Sequence, residues 1–178
     1  MLFDKLGRKI DAGRGDRRVV NSGYHVICRL DQTWEAKVHP LLGTWRLKSY
    51  VVTVGTGETS MPYGADPIGY LSYSADGRMQ AIGTSSERIV PRDPALTTEE
   101  RSALYKTMFA YAGTFSVEPG KVTHHVDVSW NEAWNGTDQE RFYEIKENTL
   151  TLTSRAVDLS SGIEAEYVVL WEKVTSPH

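Results

Sequence analysis

A single cysteine, Cys28, among 178 residues excludes an intramolecular disulfide, so packing rather than cross-linking has to hold the chain together. No apolar run approaches the roughly 18 residues that a membrane-spanning helix needs, and no membrane partner is expected. The amino terminus, MLFDKLGRKIDAGRGDRR, lacks the apolar centre of a secretory signal, which makes the cytoplasm the expected compartment. A net charge of -3, with no Lys/Arg cluster interleaved with aromatics, provides no field for nucleic acid. Phosphate loops, dinucleotide fingerprints and the Gly-x-Ser-x-Gly elbow are all missing. No nucleotide cofactor and no elbow-type serine nucleophile is therefore expected.

What is present suits one core. Residues 1–23 are rich in Gly, Arg, Lys and Asp and are expected to be mobile or loosely packed. Tyr24–Leu30 reads as a short strand and Thr33–Lys37 as the start of a helical turn. Residues 1–40 thus form a partly mobile arm, 41–174 the folded body and 175–178 a tail. The arm leaves room for a homodimer.

In the body, alternation puts Trp45, Leu47, Ser49 and Val51 on one side of a strand over 44–53, with Thr44, Arg46, Lys48 and Tyr50 on the other. Residues 55–67 hold glycine and two prolines and read as a long connection. Ile68–Ser74 and Arg78–Gly83 flank Ala75-Asp76-Gly77, a hairpin whose Asp-Gly supplies positive φ. Thr97 and Glu100 form a capping box ahead of one helix over about 98–110. Its stripe of Leu104, Tyr105, Met108 and Phe109 is expected to pack against a sheet.

Strands then come closely spaced at 111–117, 121–130, 138–146, 149–155 and 163–174. Their inward residues by alternation include Phe115, Val117, Leu150, Leu152, Tyr167, Val169 and Trp171. The total is eight. Eight antiparallel strands joined mostly by short turns predict a mainly β, up-and-down barrel with one helix and a lumen wide enough for one small ligand.

The stretch from Lys121 to Lys146 concentrates the chemistry. His124, Val126, Val128 and Trp130 share a buried face; His125, Asp127 and Ser129 share the other. On the returning strand, Glu140, Glu144 and Lys146 face water, which turns Gln139, Arg141, Tyr143 and Ile145 inward. An inward Arg costs several kcal/mol if unpaired. It needs interior partners or a polar ligand. Pairing Trp130 with Gln139 and Val128 with Arg141 leaves His124 roughly 13 Å from Arg141.

The series Leu42-Gly43-Thr44-Trp45, Asp66-Pro67-Ile68-Gly69-Tyr70-Leu71-Ser72-Tyr73, Asp76-Gly77-Arg78-Met79, His124-His125-Val126-Asp127-Val128-Ser129, Trp134-Asn135-Gly136-Thr137-Asp138-Gln139, Arg141-Phe142 and Leu170-Trp171-Glu172 resembles the lipocalin-like domain family of bacterial and fungal proteins over roughly 41–173. The resemblance implies a calycin-type barrel with a small-molecule pocket. Related barrels in natural-product pathways act as cofactor-free cyclases or isomerases, which carries over as an analogy of fold. Secreted lipocalins place an Arg of the last strand on the Gly-x-Trp indole. Here that neighbourhood reads Trp171-Glu172-Lys173.

Adjacent histidines on a strand point to opposite faces and cannot converge on one ion, so no metal is expected. His125, Asp127 and Ser129 share a face but are spaced by about 7 Å along the backbone, on the side that meets solvent. The candidate site is the lumen. Arg141, His124 and Tyr143 are the catalytic candidates, Arg141 for holding a carboxylate, enolate or phenolate and His124 for moving a proton near neutral pH. Trp45, Tyr70, Tyr111, Phe115, Trp130, Gln139 and Trp171 are the ligand-binding candidates. Two readings survive: a cofactor-independent isomerase, cyclase or dehydratase acting on a small, partly apolar metabolite, and an intracellular carrier of such a molecule. The bland alternatives pair Arg141 with Asp138 or Glu132 and make His124 a satisfied core histidine.

Overall fold

The computed structural model describes residues 39–91, 93, 95–157 and 162–175, together with two-residue strands at Leu2–Phe3 and Lys9–Ile10. The chain divides into two compact units, 1–37 and 38–178. In the first, Leu2 pairs with Ile10 and Phe3 with Lys9 in antiparallel fashion. The strand expected at 24–30, the turn at 33–37, Cys28 and most of the arm suggested for a dimer lie outside the described residues.

The second unit is a closed barrel. Its strands are β1 (Gly43–Val54), β2 (Ile68–Tyr73), β3 (Arg78–Thr84), β4 (Met108–Glu118), β5 (Lys121–Ser129), β6 (Asp138–Lys146), β7 (Thr149–Val157) and β8 (Glu164–Lys173). Each strand pairs antiparallel with its chain neighbour, and β8 returns to β1 to close the ring. Closure leaves no edge among these eight. The connection after β1 adds Thr59–Ser60 against Val52 and Thr53. Gly77 turns the β2–β3 hairpin at φ 83°, a conformation that glycine adopts without strain.

The core gathers where β1 begins and β8 ends. Leu41, Trp45, Leu47, Leu71, Leu150 and Trp171 are buried there as one cluster. Each contributes about 1.5–3 kcal/mol by the usual value for burying a large apolar side chain. Trp45 Nε1 donates to the Leu41 carbonyl at 2.8 Å, so the indole is satisfied as well as packed.

Two bulges change which residues face inward. Between β1 and β8 the register slips from Ser49↔Leu170 to Leu47↔Trp171, leaving Lys48 unopposed. Alternation therefore inverts after Leu47, and Tyr50, rather than Val51, packs against the core. On β5, Gly113↔Val126 is succeeded by Ala112↔Val128, so Asp127 is the extra residue and Val128 is 56% exposed instead of buried. Such an insertion reverses the facing of everything beyond it. Gly113 permits the second bulge, since a Cβ there would lie 1.9 Å from the His125 carbonyl oxygen.

The helix is shorter than its pattern suggested. α1 spans Thr98–Lys106, with the Thr97/Glu100 capping box formed. The Thr107 hydroxyl folds back onto the Ala103 carbonyl at 2.8 Å, and Met108 and Phe109 already pair with Thr84 and Gly83. Sheet pairing thus takes residues 108–110 from the helix. Phe109 is buried as a strand residue, while Tyr105 on the helix remains half exposed.

Register in the central hairpin also differs from expectation. Asn131 caps a 3-10 turn at Glu132–Trp134, the Val126 N–H donates to the Thr137 carbonyl and the Gly136 N–H to the Val126 carbonyl, so residues 126–137 form a wide connection. The β5–β6 ladder consequently ends at His125↔Asp138 and sets His124 opposite Gln139 and Val122 opposite Arg141. His124 and Arg141 are diagonal neighbours on the inner face, much closer than the separation of roughly 13 Å that pairing Trp130 with Gln139 implies.

Candidate functional site

Strand alternation on β5 buries Val122, His124 and Val126 together, and His124 has no solvent exposure. A buried imidazole must find partners for both nitrogens. It does so with two phenols: Tyr73, from the end of β2, lies 2.7 Å from Nε2, and Tyr111, from β4, lies 3.1 Å from Nδ1. A neutral imidazole donates from one nitrogen and accepts at the other, so one tyrosine gives a proton to the ring while the other receives one. Burial, reinforced by the Arg141 charge and then by His125, pushes His124 from its ordinary 6.5 down to about 3. Burial likewise raises Tyr73 and Tyr111. At neutral pH all three are uncharged.

Arg141 sits beside this group on β6. Nη1 donates to the Glu140 carbonyl at 2.8 Å and Nη2 to Gln139 Oε1 at 3.4 Å, while Gln139 Nε2 donates to Thr137 Oγ1 at 2.9 Å. The two carboxylates considered for it are used elsewhere, Asp138 by His125 at 2.7 Å and Glu132 by the Asn135 amide at 3.0 Å. Among the described residues no carboxylate pairs with Arg141. Its positive charge reaches Tyr50, Tyr73 and Tyr111, opposing in each the upward push of burial.

Aromatic rings gather in the same interior, among them Tyr50 and Tyr111, on which the Arg141 charge acts. Tyr50 stands edge-on to Tyr63 at 4.9 Å and contacts Phe109 and Tyr167 at 5.9 and 6.3 Å. Tyr111 meets Trp134 at 5.6 Å, and Trp134 meets Trp130 at 5.0 Å. The Trp130 indole N–H is buried with no hydrogen-bond partner among the described residues. The ensemble can hold a flat ligand by ring contacts and an oxygen by charge-assisted hydrogen bonds.

Several candidates from the sequence meet here and several do not. His124, Tyr111, Gln139 and Arg141 are neighbours, and Phe115 meets Tyr73 edge-on at 4.8 Å. Tyr70 corrects an expectation: β2 buries Gly69, Leu71 and Tyr73, leaving Tyr70 outward and 49% exposed. Trp45 and Trp171 belong to the packed floor rather than to the polar layer. Tyr143 lies two residues beyond Arg141 on the same face, against the ring of His39 at 6.3 Å. Tyr50, Tyr63, Tyr73, Phe109, Trp134 and Tyr167 were absent from the candidate set. The alternation of β2 reads equally well for Tyr70 and Tyr73, a bulge concealed Tyr50, and Tyr63 lies in a connection with no periodicity.

The outer face of the same strands presents a second constellation. His125 Nε2 is 3.0 Å from Ser116 Oγ and its Nδ1 is 2.7 Å from Asp138 Oδ1, linking β4, β5 and β6. These are the atom pairings of a nucleophilic triad. The surroundings do not support hydrolysis. Around Ser116 and His125 the strands are paired on both sides, which commits the neighbouring N–H groups to the ladders rather than to an oxyanion. The surface is an open sheet, and beside it Arg78 is bound by both oxygens of Asp127 at 2.5 and 3.2 Å. A separate cleft of about 360 Å³, lined by Arg88, Ile89, Pro91 and Leu104 among others, lies against α1 and holds none of these groups.

Residues 42–174 match the family model described as a lipocalin-like domain. The chain belongs to the lipocalin-like domain family. This chain is also similar to the 4'-hydroxy-3'-methoxypropiophenone carrier protein ppsC of Aspergillus oryzae (strain ATCC 42149 / RIB 40), 33% identical over 86 residues that cover 44% of this chain and 78% of that protein. This lipocalin-like barrel also supplies a partner for the Gly-x-Trp indole. Lys173 Nζ lies 4.2 Å from the centre of the Trp45 ring and donates to the Leu42 carbonyl, a cation on the indole where the secreted barrels use Arg. Among the described residues no helix is long and apolar enough to cross a membrane, and no three His, Cys, Asp or Glu converge as metal ligands.

Proposed function

We propose that this lipocalin-like protein binds a compact aromatic ketone or phenol in its barrel and carries it without transforming it. The observation that supports this reading is Arg141, a cation on the inner face with no carboxylate partner among the described residues, whose charge acts on the rings of Tyr50, Tyr73 and Tyr111. An oxygen-bearing ring fits that pairing of charge and π surface. The relative's name, a carrier of a hydroxylated aryl ketone, points to the same chemistry.

The carrier reading is favoured over the catalytic one by the state of His124. Both ring nitrogens are engaged by tyrosines and the ring is held neutral, so it has no free lone pair for a substrate proton. One observation favours the second reading, a cofactor-independent isomerase. The Tyr111 hydroxyl and the Arg141 guanidinium share one region and could both donate to a carbonyl as it gains charge.

The test is titration of 4'-hydroxy-3'-methoxypropiophenone into the protein, monitored by tryptophan fluorescence, with chromatography and mass spectrometry of the recovered ligand. Carriage predicts saturable binding, ligand recovered intact, and affinity lower by about tenfold or more in Arg141→Ala, the value of one lost charged hydrogen bond. A compound of unchanged mass and altered retention time, formed only by the unmutated protein, would install the isomerase in its place. Absence of saturable binding would defeat both.

A further inference from the structure

The charge balance of the lumen bears on which form of a ligand it selects. Among the described residues, the inner faces of the eight strands hold one formal charge, that of Arg141; Lys173 lies apart, over Trp45 at the floor. The titratable groups facing this region are Tyr50 from β1, Tyr63 from the connection after it, Tyr73, Tyr111, His124, and Tyr143 and Tyr167 from β6 and β8. None is a carboxyl. Asp138 and Glu140 on β6 and Glu166 and Glu172 on β8 pair instead with His125, Lys121, Arg155 and Lys48 on the barrel's outer side. Burial keeps Tyr50, Tyr63, Tyr73 and Tyr111 protonated and His124 neutral, so nothing on the described protein neutralises Arg141 near neutral pH.

A half-buried cation left without a counter-ion is costly, and the cost falls when an anion enters. Among the described residues Arg141 holds its fork by two bonds, to a backbone carbonyl and an amide oxygen, and a guanidinium has five N–H donors. From this we infer that the lumen selects the ionised form of an acidic phenol or enol, with Arg141 as its counter-charge and, in the tautomer where Tyr111 accepts from His124 Nδ1–H and Tyr73 donates to Nε2, the Tyr111 hydroxyl as a neutral donor beside it. The inference rests on the binding function proposed above and specifies it. The ligand gives up its proton to solvent, no covalent bond to the protein forms, and the protein's own groups keep theirs.

The experiment uses two probes, 4-hydroxyacetophenone, whose phenolate absorbs to the red of the protein, and 4-methoxyacetophenone, its non-ionisable methyl ether. Spectra of the bound phenol across pH give its apparent ionisation constant. We expect it to be lowered by about 1 unit or more relative to free probe, as for an acid brought next to a guanidinium. Affinity for the phenol then rises with pH up to the probe's own ionisation, while affinity for the ether remains flat. Arg141→Lys retains a lowered constant and Arg141→Gln loses it, each variant being checked by thermal melt for intact folding. A phenol that binds with its constant unchanged or raised overturns the inference and leaves the binding function standing. If neither probe binds, the binding function fails and the inference with it.

Discussion

His124 and His125 are chain neighbours that live in different solvents. His124 points inward, wholly buried, clasped by two phenols and kept neutral. His125 points outward between Ser116 and Asp138, its side chain 40% exposed. By atom geometry the outer histidine looks more like a catalytic group, since serine and aspartate lie on the expected nitrogens. By environment the inner one is the more consequential. Water competes for every bond that His125 makes, whereas those of His124 have no substitute. Hydrogen-bond geometry read without burial does not distinguish the two.

The contrast can be tested by mutation, and the largest effect is expected on the inner side at the floor. Trp45→Ala should cost about 3–5 kcal/mol in denaturant unfolding, the usual range for a large aromatic removed from a packed core. A loss under about 1 kcal/mol would show that the floor tolerates a hole and that inner packing is looser than its burial implies.

His124→Leu comes next. It preserves bulk but strands two phenolic hydroxyls, each at about 1–3 kcal/mol. The effect should also depend on pH. Because the folded protein depresses His124 from 6.5 to about 3, the unfolded chain binds a proton in that interval that the folded chain refuses. This contribution to stability is therefore lost as pH falls from about 6.5 toward about 3. The leucine variant lacks that loss, so the gap between it and the parent should narrow on acidification. A gap of constant size from pH 7 to 4 would mean that His124 is not held neutral.

The smallest effect is reserved for the outer face. His125→Ala should change stability by no more than about 0.5 kcal/mol, as for exposed substitutions generally, and should leave ligand affinity unaltered. A weakened affinity would join the two faces functionally and dissolve the contrast.

The barrel could be read from the chain because its signals are local. Period-two alternation, the Asp76-Gly77 turn and the Thr97/Glu100 box each concern residues within a few positions, and together they give the strand count. The inward facing of Gln139, Arg141, Tyr143 and Ile145 was legible for the same reason, as β6 runs its full length without a bulge. Elsewhere local pattern misled. Met108 and Phe109 suit a helix by spacing, yet pairing with Thr84 and Gly83 takes them into the sheet.

The sequence by itself determined that the strands alternate, that they are eight, and that an arginine must turn inward. Tertiary structure alone decided which residues meet it. The bulges at Lys48 and Asp127 depend on how neighbouring strands fit once the barrel closes, and each reverses the facing of the later residues in its strand. The wide 126–137 connection sets the β5–β6 register and so places His124 beside Arg141. Tyr73 reaches His124 across 51 positions of sequence, a contact no local periodicity encodes. Side-chain period is a property of one strand, whereas register and closure belong to the whole ring.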